Sequence, residues 1–287
     1  MRIVFIFSFQ GANAVTATLI ILGIVVVTAL AFDFTNGFHD TANAMATSIA
    51  TGALKPFTAV AISAVLNLVG AFLSVNVAAT VAKGIVNLDS YDLSGAAADT
   101  DGQALLMVVF TGLIGGIIWN LVTWWFGLPS SSSHALIGGL GGAALAAGAA
   151  VKWTGILEKV VVPMIVSPIV GIFVGYLVMK LILRIFRDSN PGRTKRGFRM
   201  AQTASAAAMA FGHGMQDAAK TAGVVVLALT VSGYQSSDDH HIPMWVLVMS
   251  AVVISMGTYS GGWRIMRTLG RRIIDLTPPQ GFAAEVS

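Results

Sequence analysis

Apolar runs of membrane length, separated by short polar connections, recur along the whole chain. A helix crossing the roughly 30 Å hydrocarbon core of a bilayer needs about 20 apolar residues. Segments 15–54 (apolar but interrupted), 56–80, 103–126, 129–150, 157–186, 201–231 and 245–262 meet or approach that length, the last only narrowly. Residues 1–10 (MRIVFIFSFQ) are apolar but too short to span, and they lack the basic start and small-residue exit of a signal peptide. They are left unassigned. The pattern predicts an all-α, multi-span integral membrane protein. Composition sharpens this: charged residues make up 10% of the chain, against roughly 25% in ordinary soluble domains. With 55% hydrophobic residues, 31 Gly and a mean hydropathy of +0.79, the chain has too little charge to cover a soluble surface. That excludes a soluble enzyme or a disordered protein, and the count of 0 Cys excludes a disulfide-stapled secreted domain. The net charge of +4 does not indicate a nucleic-acid partner, because the basic residues sit in short connections between apolar runs, where they orient a protein in a membrane.

The charges predict an orientation. Arg184, Arg187, Arg193, Lys195, Arg196 and Arg199 are opposed only by Asp188, and the tail carries Arg264, Arg267, Arg271 and Arg272, so both read as cytoplasmic. Residues 233–244, with Asp238 and Asp239 and no Lys or Arg, read as outside. So does the loop with Asp89, Asp92, Asp99 and Asp101, whose one basic residue is Lys83. Threading the segments through these assignments places the N-terminus outside and brings the first segment to the inside at Lys55.

An internal repeat is present. Residues 34–43 (FTNGFHDTAN) align without gaps on 211–220 (FGHGMQDAAK), with Phe, Gly, Asp and Ala coinciding at an offset of 177 residues. Both copies place an Asp inside an apolar, membrane-length segment, where such residues are rare. Five crossings, an odd number, separate the copies in the charge-based topology, so they run in opposite directions. The expected architecture is an inverted-repeat secondary transporter with interrupted helices and substrate near the midplane. Its first repeat spans 15–186, a cytoplasmic basic loop 187–200, the start of the second repeat 201–262, and a cytoplasmic tail 263–287.

Three places carry chemistry. In Asn36-Gly-Phe-His-Asp40-Thr-Ala-Asn43, Gly37 and Asn36 weaken the helix and free backbone groups as ligands. Asp40, Asn43 and Thr47 follow at helical spacing on one face, a stripe suited to an oxyanion's hydroxyl or a small cation, or to polar contact between helices. A carboxylate at membrane depth costs at least about 2.5 kcal/mol and needs a proton, a cation or donors. In the second copy Asp217 and Lys220 can pair at their spacing, or Lys220 can supply positive charge to an anion. Third, Gly127-Leu-Pro129 and the serines Ser130, Ser131, Ser132 and Ser133 open an apolar segment. A helix start with free amides and hydroxyls suits a tetrahedral oxyanion, though Ser can also simply cap the helix. His39, His134 and His213 read as hydrogen-bonded structural residues, glycines 138, 139, 141 and 142 as packing positions, and Trp119, Trp124 and Trp125 as interface anchors. There is no Walker loop, GxSxG or HExxH, and no His/carboxylate spacing matches a metal motif, so an enzyme, ATP-driven transport and a resident metal or cofactor are not expected.

Asn36-Gly-Phe-His-Asp40-Thr-Ala-Asn43-Ala, Trp119-Asn120 with Gly127-Leu-Pro129-(Ser)4-His134, and Phe211-x-His-Gly-x-x-Asp217-x-x-Lys220 resemble the signatures of the inorganic phosphate transporter (PiT) family, in family order, over residues 30 to 275. The resemblance is closest to bacterial low-affinity phosphate permeases. It implies a symporter of inorganic phosphate in the bacterial inner membrane, coupled to H⁺ or Na⁺, with a neutral complex of phosphate and a metal such as Mg²⁺ as a further form of the cargo. It also implies a homodimer. Carried over residue by residue, it makes Asp40, Asn43 and Asp217 substrate or coupling-ion residues, with Asn36 beside them, and Ser130–Ser133 phosphate ligands. Lys220 stands where many members keep Asn. The family's second Pro-Ser-Thr-Thr-His segment is expected near position 306 (129 plus 177), past Ser287, so the second repeat reads as incomplete. Two further readings stand beside phosphate symport: sulfate, also tetrahedral, on the same scaffold, and a non-transporting fragment. An intramembrane metal-dependent hydrolase using His39, Asp40, His134, His213 and Asp217 is the rival from another class.

Overall fold

The computed structural model describes residues 2–73, 100–148, 151–236, 241–271 and 275–287. The acidic stretches around Asp89, Asp92, Asp99 and Asp238, which carry the outside assignments, lie outside the described residues. Among the described residues the regular structure is helical. The helices are α1 (Arg2–Ala50), α2 (Pro56–Phe72), α3 (Thr100–Phe126), α4 (Ser132–Ala146), α5 (Trp153–Ile156), α6 (Val162–Ile185), α7 (Pro191–Val231), α8 (Met244–Ser260), α9 (Trp263–Arg271) and α10 (Pro278–Glu285). A π-helical turn, Leu157–Val161, joins α5 to α6. Among the described residues three helices are long and apolar enough to cross a membrane, Thr16–Ala50 within α1, Gly102–Phe126 within α3 and all of α6. The α8–α9 pair, bent by 57° at Gly261 (φ 73°), makes a fourth as one broken span.

Several expectations change here. The first helix is not interrupted at Asn36-Gly37: α1 runs straight through, as α7 runs through Gly212 and Gly214. Glycine costs a helix only about 1 kcal/mol, and here it admits a neighbouring backbone. A Cβ on Gly37 would overlap the Ile254 carbonyl of α8, and one on Gly257 of α8 would overlap the Phe34 carbonyl of α1. The second copy makes the same exchange with α2: a Cβ on Gly214 would overlap Asn67, and one on Gly70 would overlap the Phe211 carbonyl. The breaks lie instead at the turn through Gly52 (φ 70°), at Gly127 (φ 67°) and at Gly261.

Segment 129–150 is shorter than expected. At 1.5 Å rise per residue the 15 residues of α4 reach only about 22 Å, less than the hydrocarbon core, so the helix enters the bundle beside α3 without the length of a full span. Gly139 makes its close crossing, against the Gly112 carbonyl, but Gly138 and Gly142 meet nothing within 4 Å and are not packing positions. The basic stretch 187–200 is a loop only as far as Asn190, whose side chain caps α7 by accepting from the Gly192 and Arg193 amides. Nor is 263–287 a free tail, since α9 and α10 fold back onto α1 and α7. The main core joins α1, α3, α4 and α7 through residues such as Phe32, Leu106, Leu113, Leu136 and Val225.

Candidate functional site

Two long helices bring the charges together. Asp40 of α1 and Asp217 of α7 are both buried, and with His213 they offer one oxygen or nitrogen each, all within 4.8 Å of one another. Asp217 is held from its own helix. Lys220, one turn on, places Nζ 2.5 Å from Oδ1, and His213, one turn back, places Nδ1 3.6 Å from Oδ2. Helical spacing of three and four residues is what puts all three side chains on one face. Asp40 meets the start of α4, where the Ser132 hydroxyl donates to Oδ2 at 3.4 Å. Asn36 lies one turn before Asp40, buried, with Oδ1 unpartnered. Half-buried Asn43 lies one turn after it.

The expected site residues therefore divide. Asn36, Asp40, Asn43, Asp217, Lys220 and Ser132 converge on one region. Of the serines, Ser130 accepts from the Trp119 indole at 2.9 Å, Ser131 is the N-cap and accepts from the His134 amide at 3.3 Å, and Ser133 is half-buried beside the buried Ser132. Successive residues on a helix point about 100° apart, so Ser132 and Ser133, the two serines inside α4, do not both face Asp40. Thr47 leaves the stripe: its hydroxyl donates to Glu285 Oε1 of α10 at 2.5 Å. Ser48 (2.7 Å) and Gln202 (3.3 Å) donate to the same oxygen, and Ser205 donates to Oε2.

His39 is structural, as its position suggested. It is fully buried, stacks beside Phe38, and its Nε2 donates to the Asn120 carbonyl at 2.6 Å. Asn120 in turn donates to Thr35 at 3.1 Å. His134 is exposed and away from the acids, which removes it from any shared metal set. His213 is different, because it belongs to the acidic cluster. No local spacing could reveal that cluster, since it is assembled across two helices 177 residues apart in sequence. The matching Asp40 and Asp217 of the repeat, and the i,i+4 relation of His213 and Asp217, are its visible traces.

Two acids escaped the sequence reading. Asp33 is buried on α1, one turn before Asn36, and accepts from the Thr221 hydroxyl at 2.5 Å. Its signal is the run 33, 36, 40, three polar residues at helical spacing within an apolar span. Glu285 had no local signal, because all its partners are distant in sequence.

Chemically, the Asp40–His213–Asp217 cluster is an oxygen and nitrogen set of the right size for one cation. Ligands on opposite sides of a small metal ion, each about 2.0–2.6 Å away, stand roughly 4–5 Å apart. Lys220 and Ser132 flank that position with donors for an oxyanion.

The family model described as "Phosphate transporter family" matches residues 36–287. The chain is 53% identical over 271 residues to the "Probable low-affinity inorganic phosphate transporter" of Mycobacterium bovis, covering 94% of this chain and 62% of that one. A protein of the same description from Bacillus subtilis is 41% identical, with 94% of this chain and 78% of that one covered. The chain thus spans less than two thirds of the mycobacterial relative's length. A solved structure titled "The sodium-dependent phosphate transporter" shares the fold with a TM-score of 0.79 at 23% identity, over 92% of this chain and 81% of that one.

Proposed function

Because the chain belongs to the phosphate transporter family, we propose that it is a membrane symporter of inorganic phosphate, driven by H⁺ or Na⁺. The observation that carries this reading is the meeting of Asp40 and Asp217 with His213, Lys220 and Ser132 between α1, α7 and α4. With both carboxylates ionised, Lys220 charged and His213 neutral, these side chains carry one net negative charge. A phosphate anion entering beside them is repelled unless a cation arrives too. At membrane depth, where interactions between charges are strong, that repulsion is a coupling free energy: binding of one sign makes binding of the other favourable. Lys220 and Ser132 donate to phosphate oxygens, while Asp40, Asp217 and His213, with Asn36 and Asn43 at the flank, receive the cation.

The compactness of the three-ligand cluster also favours a divalent cation entering with its phosphate as a neutral complex. The reading of α1 and α7 as two copies of one unit is supported by their matching glycine contacts with α8 and α2, and their opposite orientation is a proposal from the loop charges. The external N-terminus remains a proposal from the loop charges, and the homodimer one from family resemblance.

Uptake of labelled phosphate into proteoliposomes, under separate Na⁺ and pH gradients and with or without Mg²⁺, tests substrate and driving ion together. Uptake that ignores both gradients, or that sulfate competes for equally, refutes the reading.

A further inference from the structure

Asp33 is not accounted for by the cluster at Asp40. It lies fully buried in the middle of an apolar span, and no Lys or Arg closes an ion pair with it among the described residues. One donor reaches it, Thr221 of α7, at Oδ1. The other oxygen, Oδ2, is buried without a hydrogen-bond partner. Ser250 of α8, itself 0% exposed, stands beside the carboxylate as a second hydroxyl donor, but the contact falls short of a well-formed hydrogen bond and its Oγ has no other partner. Buried polar atoms are nearly always satisfied, and unsatisfied ones call for an unseen partner. An ionised carboxylate at this depth calls for one more strongly.

We propose that Asp33, Thr221 and Ser250 form a binding site for one small monovalent cation, Na⁺, between α1, α7 and α8. The groups are a carboxylate and two hydroxyls, all hard oxygens of the kind alkali cations take. A single carboxylate balances a single positive charge. A divalent ion would need a second one, and the nearest candidate, Asp217, is already paired with Lys220. The site is separate from the phosphate cluster but joined to it through two helices. Asp33 is seven residues from Asp40 on one, and Thr221 follows Lys220 on the other. Na⁺ bound here ties α1, α7 and α8 together at the level of the cluster. It does not depend on phosphate being the cargo.

The test is binding of radioactive sodium to the purified chain in detergent, without phosphate, for the wild type, Asp33→Asn, Ser250→Ala and Asp40→Asn. The proposal expects Asp33→Asn to lose one equivalent of bound sodium per chain, and Asp40→Asn to retain that equivalent. Ser250→Ala should keep it but weaken it about tenfold, the effect of losing roughly 1.4 kcal/mol from one ligand. If Asp33→Asn fails to fold, the Ser250→Ala shift decides. Unchanged stoichiometry in a folded Asp33→Asn, unchanged affinity in Ser250→Ala, or no sodium bound by the wild type at neutral pH (a carboxyl that simply holds a proton) overturns it. Failure of phosphate uptake alone leaves this measurement unaffected, so the two readings fall separately.

Discussion

Glu285 offers the sharpest perturbation. Its carboxylate accepts from Thr47 and Ser48 of α1 and from Gln202 and Ser205 of α7, and it is the polar anchor of α10. Glu285→Gln preserves the shape and removes the charge. One oxygen remains an acceptor for the three donors at Oε1, while an NH₂ group replaces the oxygen that Ser205 reaches. Hydrogen bonds to a charged group contribute about 1.5–3 kcal/mol each and neutral ones about 1 kcal/mol. Summed over four bonds the loss would reach several kcal/mol, but Glu285 is only half-buried and water replaces part of it. We expect about 1–2 kcal/mol, a factor of roughly 5–30 in the equilibrium between docked and undocked α10. Hydrogen–deuterium exchange of the amides in 278–285 measures that equilibrium and should accelerate by the same factor. Amide exchange in α3, which supplies none of the Glu285 donors, serves as the internal control. Equal exchange of wild type and variant would show that the apolar contacts of Phe282 and Ala283 hold α10 alone, and the four-donor cage would then carry no stability.

The remaining predictions concern the crossings, the charges and the interface. Gly214→Leu and Gly37→Leu should each prevent a stable fold, read as loss of the monodisperse peak in detergent chromatography, because each side chain would have to displace a helix backbone. Gly138→Ala and Gly142→Ala should be neutral or raise the melting temperature, given the open space beside both residues and alanine's advantage of about 1 kcal/mol in a helix. Asp40→Asn and Asp217→Asn should each abolish ion-dependent phosphate uptake in proteoliposomes, and normal uptake by either variant would refute the charge-coupling mechanism. Arg264 lies over Trp124 and Trp125 with centroid distances of 4.9 and 4.4 Å and donates to the Trp125 carbonyl. Arg264→Ala should therefore cost about 1–2 kcal/mol in thermal stability, with Arg264→Lys recovering only part, and an unchanged melting curve would count against it.

The class of fold was legible in the chain because a bilayer leaves few options: apolar runs of 20 or more residues can satisfy their backbone only as helices. The two Asp-bearing motifs were legible for a related reason, since acids are too costly to occur in such runs without a role. Other features were hidden by their nature. Asn36-Gly37 and Gly214 read as weak points when only local propensity is visible, and become contact points once α8 and α2 arrive. Thr47 shares a helical stripe with Asp40, yet the partner that takes its hydroxyl is 238 residues away. Four serines in a row look equivalent as letters, whereas the turn of the helix sends only Ser132 towards Asp40. Asp33 is masked by the denser motif three residues later, although the spacing 33, 36, 40 already puts it on the same helical face.

The bare backbone contacts at Gly37 and Gly214 have a mechanical consequence. No bulky side chain separates the helices there, and at Gly37 two hydroxyls, Thr41 to the Thr258 carbonyl at 3.1 Å and Thr258 to the Gly37 carbonyl at 3.3 Å, tie α1 to α8 at the point of contact. Each contact is a fixed point of closest approach, and in both helices the acid stands three residues past it, Asp40 after Gly37 and Asp217 after Gly214. Points near a fulcrum travel least. For any given change of angle the remote ends of rods 49 and 41 residues long sweep far wider, so the two carboxylates sit where the spacing between α1 and α7 is least sensitive to a tilt of either helix.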